Sequence, residues 1–309
     1  MATLASSSLS LPNHLAEGVW SKAQTGSTLV ALSGQTPMKF GTTQFMTMSA
    51  RPKAQIVAEG TQKGQSQPAF APINVVPRKA QVTMRFNEEV QWADEDYQLG
   101  VLSEVADAAG TALYRAIDLV AYHGINPLTG VALSGSPTKL LDTTNSVEVT
   151  GTSKPDDDLT SAVGLVIADG FQPSGVAVDP SFSFALATQK DTQGRRLFPE
   201  LGFGISPTNL LGLSASVSDT VRAPEATISG GAYATTDPNV KAIVGDFQGA
   251  IRWGVQRDIP IEKIVYGDPD GQGDLKGLNQ IALRAELVFG VAIFSTDAFA
   301  KVVDSVANS

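Results

Sequence analysis

The 309-residue sequence contains no cysteine and only two histidines, His14 and His123. Zero cysteine removes disulfide scaffolds, thiol nucleophiles, iron–sulfur clusters and cysteine-based zinc sites. The two histidines leave little room for a histidine-based triad, which needs a positioned base and an orienting partner. His14 falls in an N-terminal arm. His123 falls at the expected C-terminus of a helix, where positive charge is favourable. No P-loop, G-x-G-x-x-G, G-x-S-x-G or H-E-x-x-H motif occurs. Charged residues are scarce at 17%, against 42% hydrophobic residues, which excludes a disordered chain and implies much buried or subunit-facing surface. Long apolar runs are missing as well. The longest, Leu287–Phe294, falls far short of the roughly 20 residues that cross a bilayer. The opening MATLASSSLSL has neither the basic region nor the sustained apolar core of a secretory signal. No cofactor and no membrane partner is expected.

The net charge is −9, but it is unevenly spread. Residues 1–90 carry eight Lys/Arg and four Asp/Glu, a balance of +4, which leaves −13 for the remainder. An acidic body disfavours direct duplex binding, which needs cations against phosphates. A basic N-terminal third and an acidic body can attract each other between copies, although a plain solvated surface explains the pattern equally well.

Along the chain, Met1–Gly34 reads as an extended arm, with a disordered tail as the alternative. Lys53–Glu59 has a short β-like centre at Ile56 and Val57. Lys79–Val90 alternates, with Ala80, Val82, Met84 and Phe86 on one face, and predicts a half-buried strand. Gly60–Lys79 between them holds Gly60, Gly64, Pro68, Pro72 and Pro77, so it is neither helix nor sheet interior. Flanked by strands, it predicts a protruding two-stranded arm. Asp94–His123 places Leu102, Val105, Ala109, Ala112, Leu113, Ala116, Ile117 and Val120 at helical spacing. Asp94, Glu95 and Asp96 lie at its start and a stop lies at His123-Gly124. About 30 residues at 1.5 Å each predict a spine on the order of 45 Å.

Residues 131–248 read as a separate α/β unit. Asp156-Asp157-Asp158 are expected to cap a helix over Leu159–Ala168. A strand is expected over Phe171–Val178, a helix over Pro180–Thr188 and a turn at Gln193–Arg196. Ala250–Val265 and Asn279–Phe294 read as strands, the second buried on both faces.

Two groups of residues could carry chemistry. Asp268, Asp270 and Asp274 sit on a Gly-rich turn that resembles a calcium loop, but the twelfth position is Asn279 rather than the bidentate Glu such a loop uses, so a plain turn is favoured. Lys63, Asn279 and Glu286 could form an isopeptide bond. The Lys amine attacks the Asn carboxamide and ammonia leaves, with a carboxylate taking the amine proton. On spacing alone these are three common residues far apart in sequence. A solvated lysine, a ladder asparagine and an ion-paired glutamate are the simpler reading.

The order of features resembles the major capsid proteins of tailed bacteriophages, the Hong Kong 97-type fold family. Val57-Ala58-Glu59-Gly60 followed by Lys63, Ser66 and Phe70 is similar to the family's extended loop. Leu102–Gly124 followed by Asn126-Pro127 and Gly130 is similar to its spine helix. Gly175–Pro180 with Leu186, Lys190-Asp191, Gly194-Arg195 and Leu197-Phe198 resembles a stretch of its axial domain. Asn279–Val303 with Arg284, Glu286 and Ala298-Phe299 resembles the final strands of its peripheral domain.

The resemblance implies an α+β fold. Its parts are an N-terminal arm (1–34), an extended loop hairpin and the start of the peripheral domain (35–90), a spine helix (91–130), an axial domain (131–248) and return strands of the peripheral domain (249–309). It implies a structural virion protein, assembled in the host bacterial cytoplasm as hexamers and pentamers. The icosahedral shell would enclose double-stranded DNA without sequence-specific contacts. The expected partners are further copies of the chain, a separate scaffolding protein, a portal and a decoration protein. Because some members cross-link subunits through a loop Lys, a strand Asn and a Glu, it gives Lys63, Asn279 and Glu286 that role. The alternatives are a bacterial encapsulin shell of the same fold, a metabolic α/β enzyme and a secreted adhesin.

Overall fold

A computed structural model describes residues 26–39, 41–50, 52–66, 69–89, 101–135, 138–150, 154–198, 201, 209–222 and 239–304. A four-stranded sheet carrying one long helix shares a core with a six-stranded sheet, and a two-stranded hairpin packs on the first sheet. The helix, α2, runs Val101–Tyr122 after a short α1 at Thr28–Leu32. At 1.5 Å per residue α2 is roughly 33 Å long. It ends where Gly124 turns left-handed, φ 65°, a conformation glycine adopts without a Cβ penalty. Asp94, Glu95 and Asp96, expected at its start, lie outside the described residues, as does His14.

The first sheet has the order β1-β10-β11-β4, formed by Gly34–Gln35, Ile251–Ile264, Gln280–Ile293 and Arg78–Asn87. β10, β11 and β4 are antiparallel neighbours, and β1 joins β10 in parallel. The second sheet is mixed, in the order β5-β12-β9-β6-β8-β7. Its strands are Ser146–Glu148, Phe299–Asp304, Asn239–Gly245, Gly175–Val178, Leu213–Val217 and Asn209–Leu210.

α2 lies on β4 and β11 of the first sheet and shares one core with the second. Leu113, Tyr114, Ile117 and Tyr122 pack with Leu287, Phe289 and Trp253 of the first sheet and with Ile243, Phe299 and Val303 of the second. Each fully buried side chain of this kind contributes about 1.5–3 kcal/mol over leaving it in water. The other face of the second sheet is covered by α3 (Pro155–Ala168) and α4 (Pro180–Thr188) through Leu159, Val166, Phe182 and Leu186. Its central strands are therefore apolar on both faces. Alternate residues of β12 show this, with Phe299 and Val303 facing α2 and Ala300 and Val302 facing α3 and α4.

Four expectations change. The arm does not extend to Gly34, because α1 buries Leu29 and Leu32 in the main core. The hairpin strands are β2, Thr43–Ala50, and β3, Ala69–Val75, while Lys53–Glu59 forms no strand. Pro72 is tolerated inside β3 because a two-stranded ribbon leaves each strand one edge that asks for no N–H. The α3 N-cap is Lys154 with Pro155 after it, and Asp156, Asp157 and Asp158 occupy the first turn, where they meet the positive end of the helix dipole. Finally, residues 131–248 are not a closed unit. β12 crosses from the first sheet to pair with β5 and β9 in the second, so Phe299–Asp304 leave the strands that precede them.

Candidate assembly surfaces and cross-link residues

The hairpin is tied down at its base. Met38, Val75 and Ala292 form a small buried cluster with Phe45 and Phe294, whose rings meet edge-on at 5.6 Å. Beyond the base one face is bare. Met46 lies opposite Pro72 and Met48 opposite Phe70, and Met46, Met48 and Phe70 are all half or more exposed. Residues 52–66 close the hairpin as a folded-back loop. Lys53 N donates to Ser66 Oγ at 2.8 Å, Gly64 N to Gln55 Oε1 at 2.8 Å, and Thr61 N closes a turn onto Ala58 O. Lys63 is exposed on this loop.

Asn279 is also exposed and stands immediately before β11, with φ 55°. Asn adopts this left-handed conformation more readily than most residues. Its carbonyl accepts the Glu88 N–H at 3.0 Å. Glu286 lies seven residues further along β11, where Lys79 Nζ approaches its carboxylate at 2.6 Å. Glu286 lies within β11 and Asn279 just before it, so a run of strand at about 3.3 Å per residue puts them on the order of 20 Å apart. The hairpin base docks at the Gly290–Phe294 end of the same strand, the end away from Asn279. One chain therefore does not bring Asn279 and Glu286 together. Lys63 lies on the hairpin loop and Asn279 at the start of β11, on different parts of the chain.

The acidic turn is organised by a cation. Arg85, on β4 and almost buried, bonds Asp270 through Nη2 and, at 3.1 Å, through Nε. It also donates to Asp268 at 3.2 Å, Gly273 O at 2.7 Å and Gln280 Oε1 at 3.0 Å. The hydrogen bond from Arg85 holds the Asp270 carboxyl below its ordinary value against the opposing effect of burial. Asp274 faces elsewhere and accepts the backbone N–H groups of Gly267 at 3.1 Å and Gly277 at 2.8 Å. Among the described residues no group of three or more His, Asp or Glu side chains is arranged to hold a metal ion.

Sequence reasoning passed over one cluster. Asp118 on α2 is fully buried and bonded to Ser27, Thr28, Leu29 and Thr220. Beside it, Arg115 Nη1 lies 2.6 Å from Asp219 Oδ1, and Arg222 Nε 3.3 Å from Asp179 Oδ2. His123 is buried against the Thr220 and Val221 carbonyls, with Nε2 at 3.2 and 3.0 Å. The signal in the sequence was an acid one residue after Ile117, inside the apolar stripe of an otherwise regular helix.

A long helix packed on a sheet and a hairpin with an uncovered apolar face fit a subunit that buries surface against other chains. The comparisons agree. The model of the phage capsid family matches residues 8–304, and the chain belongs to that family. It is similar to a structure from Mycobacterium phage Ogopogo, with 54% identity, 90% of this chain and 92% of that one covered, and a TM-score of 0.82. A structure from Gordonia phage Cozz shares 30% identity over 90% of this chain and 86% of that one, TM-score 0.74. The capsid of an empty GTA particle, 14% identical over 90% and 89% of the two chains with a TM-score of 0.61, shares the fold alone. No curated protein matches the sequence. The chain is thus a phage capsid protein of the Hong Kong 97-type fold, and the encapsulin, enzyme and adhesin alternatives give way to it.

Proposed function

We propose that copies of this chain assemble as hexamers and pentamers into the icosahedral shell of a tailed bacteriophage head, in the cytoplasm of the host bacterium, around double-stranded DNA. The observation that carries the reading is the β2–β3 hairpin, whose Met46, Met48 and Phe70 face meets no cover from its own chain. A bare apolar face of this kind marks an interaction surface. In this reading the hairpin is the extended loop and residues 1–25 serve as the arm. The first sheet with α2 is the peripheral domain, and the second sheet with α3 and α4 is the axial domain. A separate scaffolding protein, a portal and a decoration protein complete the head, and the net acidic body keeps packaged DNA from adhering. The test is negative-stain microscopy of the purified chain expressed with its scaffold. Closed shells of uniform size support the reading, and a small stable oligomer refutes it.

Within the shell we propose an isopeptide bond between Lys63 Nζ of one subunit and Asn279 Cγ of another. The amine loses a proton to a carboxylate, with Glu286 of a neighbouring subunit as the candidate, the new C–N bond forms, and ammonia leaves. Exposure of both reacting residues supports it. The Lys79 contact to Glu286 is the feature it must overcome. Shells run on a denaturing gel should give a ladder that collapses in Lys63→Arg, whereas a single monomer band from intact shells refutes the bond and leaves the shell reading standing.

A further inference from the structure

The assembly reading makes no use of the buried Asp118 cluster, which joins three distant parts of the chain. Its carboxylate accepts from Ser27 Oγ, from Thr28 N and Oγ1 at 2.9 Å each, from Leu29 N at 3.1 Å and from Thr220 Oγ1 at 2.7 Å. Tyr122 OH, one turn further along α2, lies 2.8 Å from Thr28 Oγ1. All five donors are dipoles. A buried carboxylate held only by dipoles carries a large desolvation cost, so every donor counts. Removing one leaves the charge less compensated for all the others, which is how buried polar networks become cooperative.

Two of the three segments adjoin chain outside the described residues. Ser27–Leu29 follow residues 1–25, the arm of the proposed shell subunit, and Gly26 lies against Thr111 of α2. Asp219–Val221 is a single 3-10 turn following β8. It is bonded to α2 through Arg115 and Asp219, and its next residue, Arg222, pairs with Asp179, the N-cap of α4. The Asp118 carboxylate thus bonds both Ser27–Leu29 and the turn that follows β8 of the second sheet.

We propose that Asp118 is a three-way lock. It makes the seating of α1 and the seating of the Asp219–Arg222 turn on α2 a single cooperative event, so that the arm root and the turn are held or released together. The lock is independent of whether the shell forms and can be tested on the unassembled full chain.

The test is hydrogen exchange on the full chain carrying Thr220→Val or Ser27→Ala. Thr220→Val keeps shape and leaves every α1 bond to Asp118 in place. The lock requires it nevertheless to speed exchange of the Leu29 and Ser33 amides by about tenfold, within the range usual for coupled sites. Reciprocally, Ser27→Ala should speed exchange of the Val221 and Arg222 amides by a similar factor. The β10–β11 amides serve as the internal reference and should not change. If each variant disturbs only its own segment, there is no coupling and the proposal fails. If exchange rises equally in β10 and β11, the residues merely support the fold and the proposal fails as well.

Discussion

Gly254 and Gly290 stand opposite each other across β10 and β11, and the Met38 side chain fills the space their missing side chains leave. A Cβ on Gly290 would lie 2.6 Å from Met38 Cε and 2.7 Å from Val75 Cγ1, and one on Gly254 would strike the Thr36 carbonyl. The pair is a socket that fixes the hairpin base to the first sheet. Gly254→Ala should therefore destabilise the chain by about 1–3 kcal/mol through overpacking against backbone that has nowhere to move. Calorimetry would measure this, and an unchanged melting temperature would show that the socket is slack. Shells made from this variant should be fewer or misshapen.

Arg85 predicts a larger effect confined to one turn. Its side chain is 8% exposed and holds two carboxylates and two backbone carbonyls together. Arg85→Ala removes the only cation paired with Asp268 and Asp270 among the described residues and leaves three like charges on a short loop. A loss of about 2–3 kcal/mol is expected. Amides of residues 267–279 should lose protection before those of the second sheet do.

The Lys79–Glu286 pair predicts the opposite. The lysine side chain is half exposed, and such cross-strand pairs contribute little. Lys79→Gln should shift stability by no more than about 0.5 kcal/mol. Its informative readout is the gel. If Glu286 serves as a base in the shell, releasing it from Lys79 should speed ladder formation.

Acid sensitivity should track Asp219. Burial pushes its carboxyl up, but the hydrogen bond and charge of Arg115, its own backbone amide and the Arg222 charge outweigh this and hold it below its ordinary 3.8. A folded value below the unfolded one gives stability that is complete above the unfolded value and is lost as pH falls through the folded one. Asp118, with Tyr122 on its own helix and no cation bonded to it among the described residues, runs the other way. Burial raises its carboxyl despite the donors from Ser27, Thr220, Thr28 and Leu29, so its titration favours the fold as the pH falls through the raised value. Arg115→Gln should cost about 0.5 kcal/mol at pH 7, the usual worth of a partly exposed pair. The difference from the parent chain should close as the pH falls through the lowered Asp219 value. A gap that persists in acid would show that Arg115 acts by packing rather than charge.

Truncation separates the arm from its root. Removing residues 1–25 leaves α1 and the Asp118 cluster intact and should give a folded chain that fails to close shells. Removing residues 1–34 takes away Leu29 and Leu32, both buried in the main core, and four of the five donors to Asp118. That chain should be insoluble. Melting curves and microscopy of the two variants distinguish the outcomes, and normal shells from the shorter deletion would remove the arm from assembly.

Local pattern alone determined several elements of this protein. The 3.6-residue spacing from Leu102 to Val120, the alternation of Ala80, Val82, Met84 and Phe86, the Pro180–Thr188 helix and the near-continuous apolar run of β11 each express a period that one segment carries by itself. The ordered set of these elements was also enough to suggest the capsid family. Only the tertiary structure decided which strands share a sheet. β12 joins β5 and β9 because its two faces match two different cores, a fact no window around Phe299–Asp304 contains. It also decided the hairpin, since Thr43–Ala50 and Ala69–Val75 become strands through each other. The charged centres follow the same rule. Arg85 meets Asp268 and Asp270 more than 180 residues away, and Asp118 meets Ser27 and Thr220 across 91 and 102 residues. A buried charge is stable only where distant segments supply its partners, and that arrangement exists only once the chain has folded.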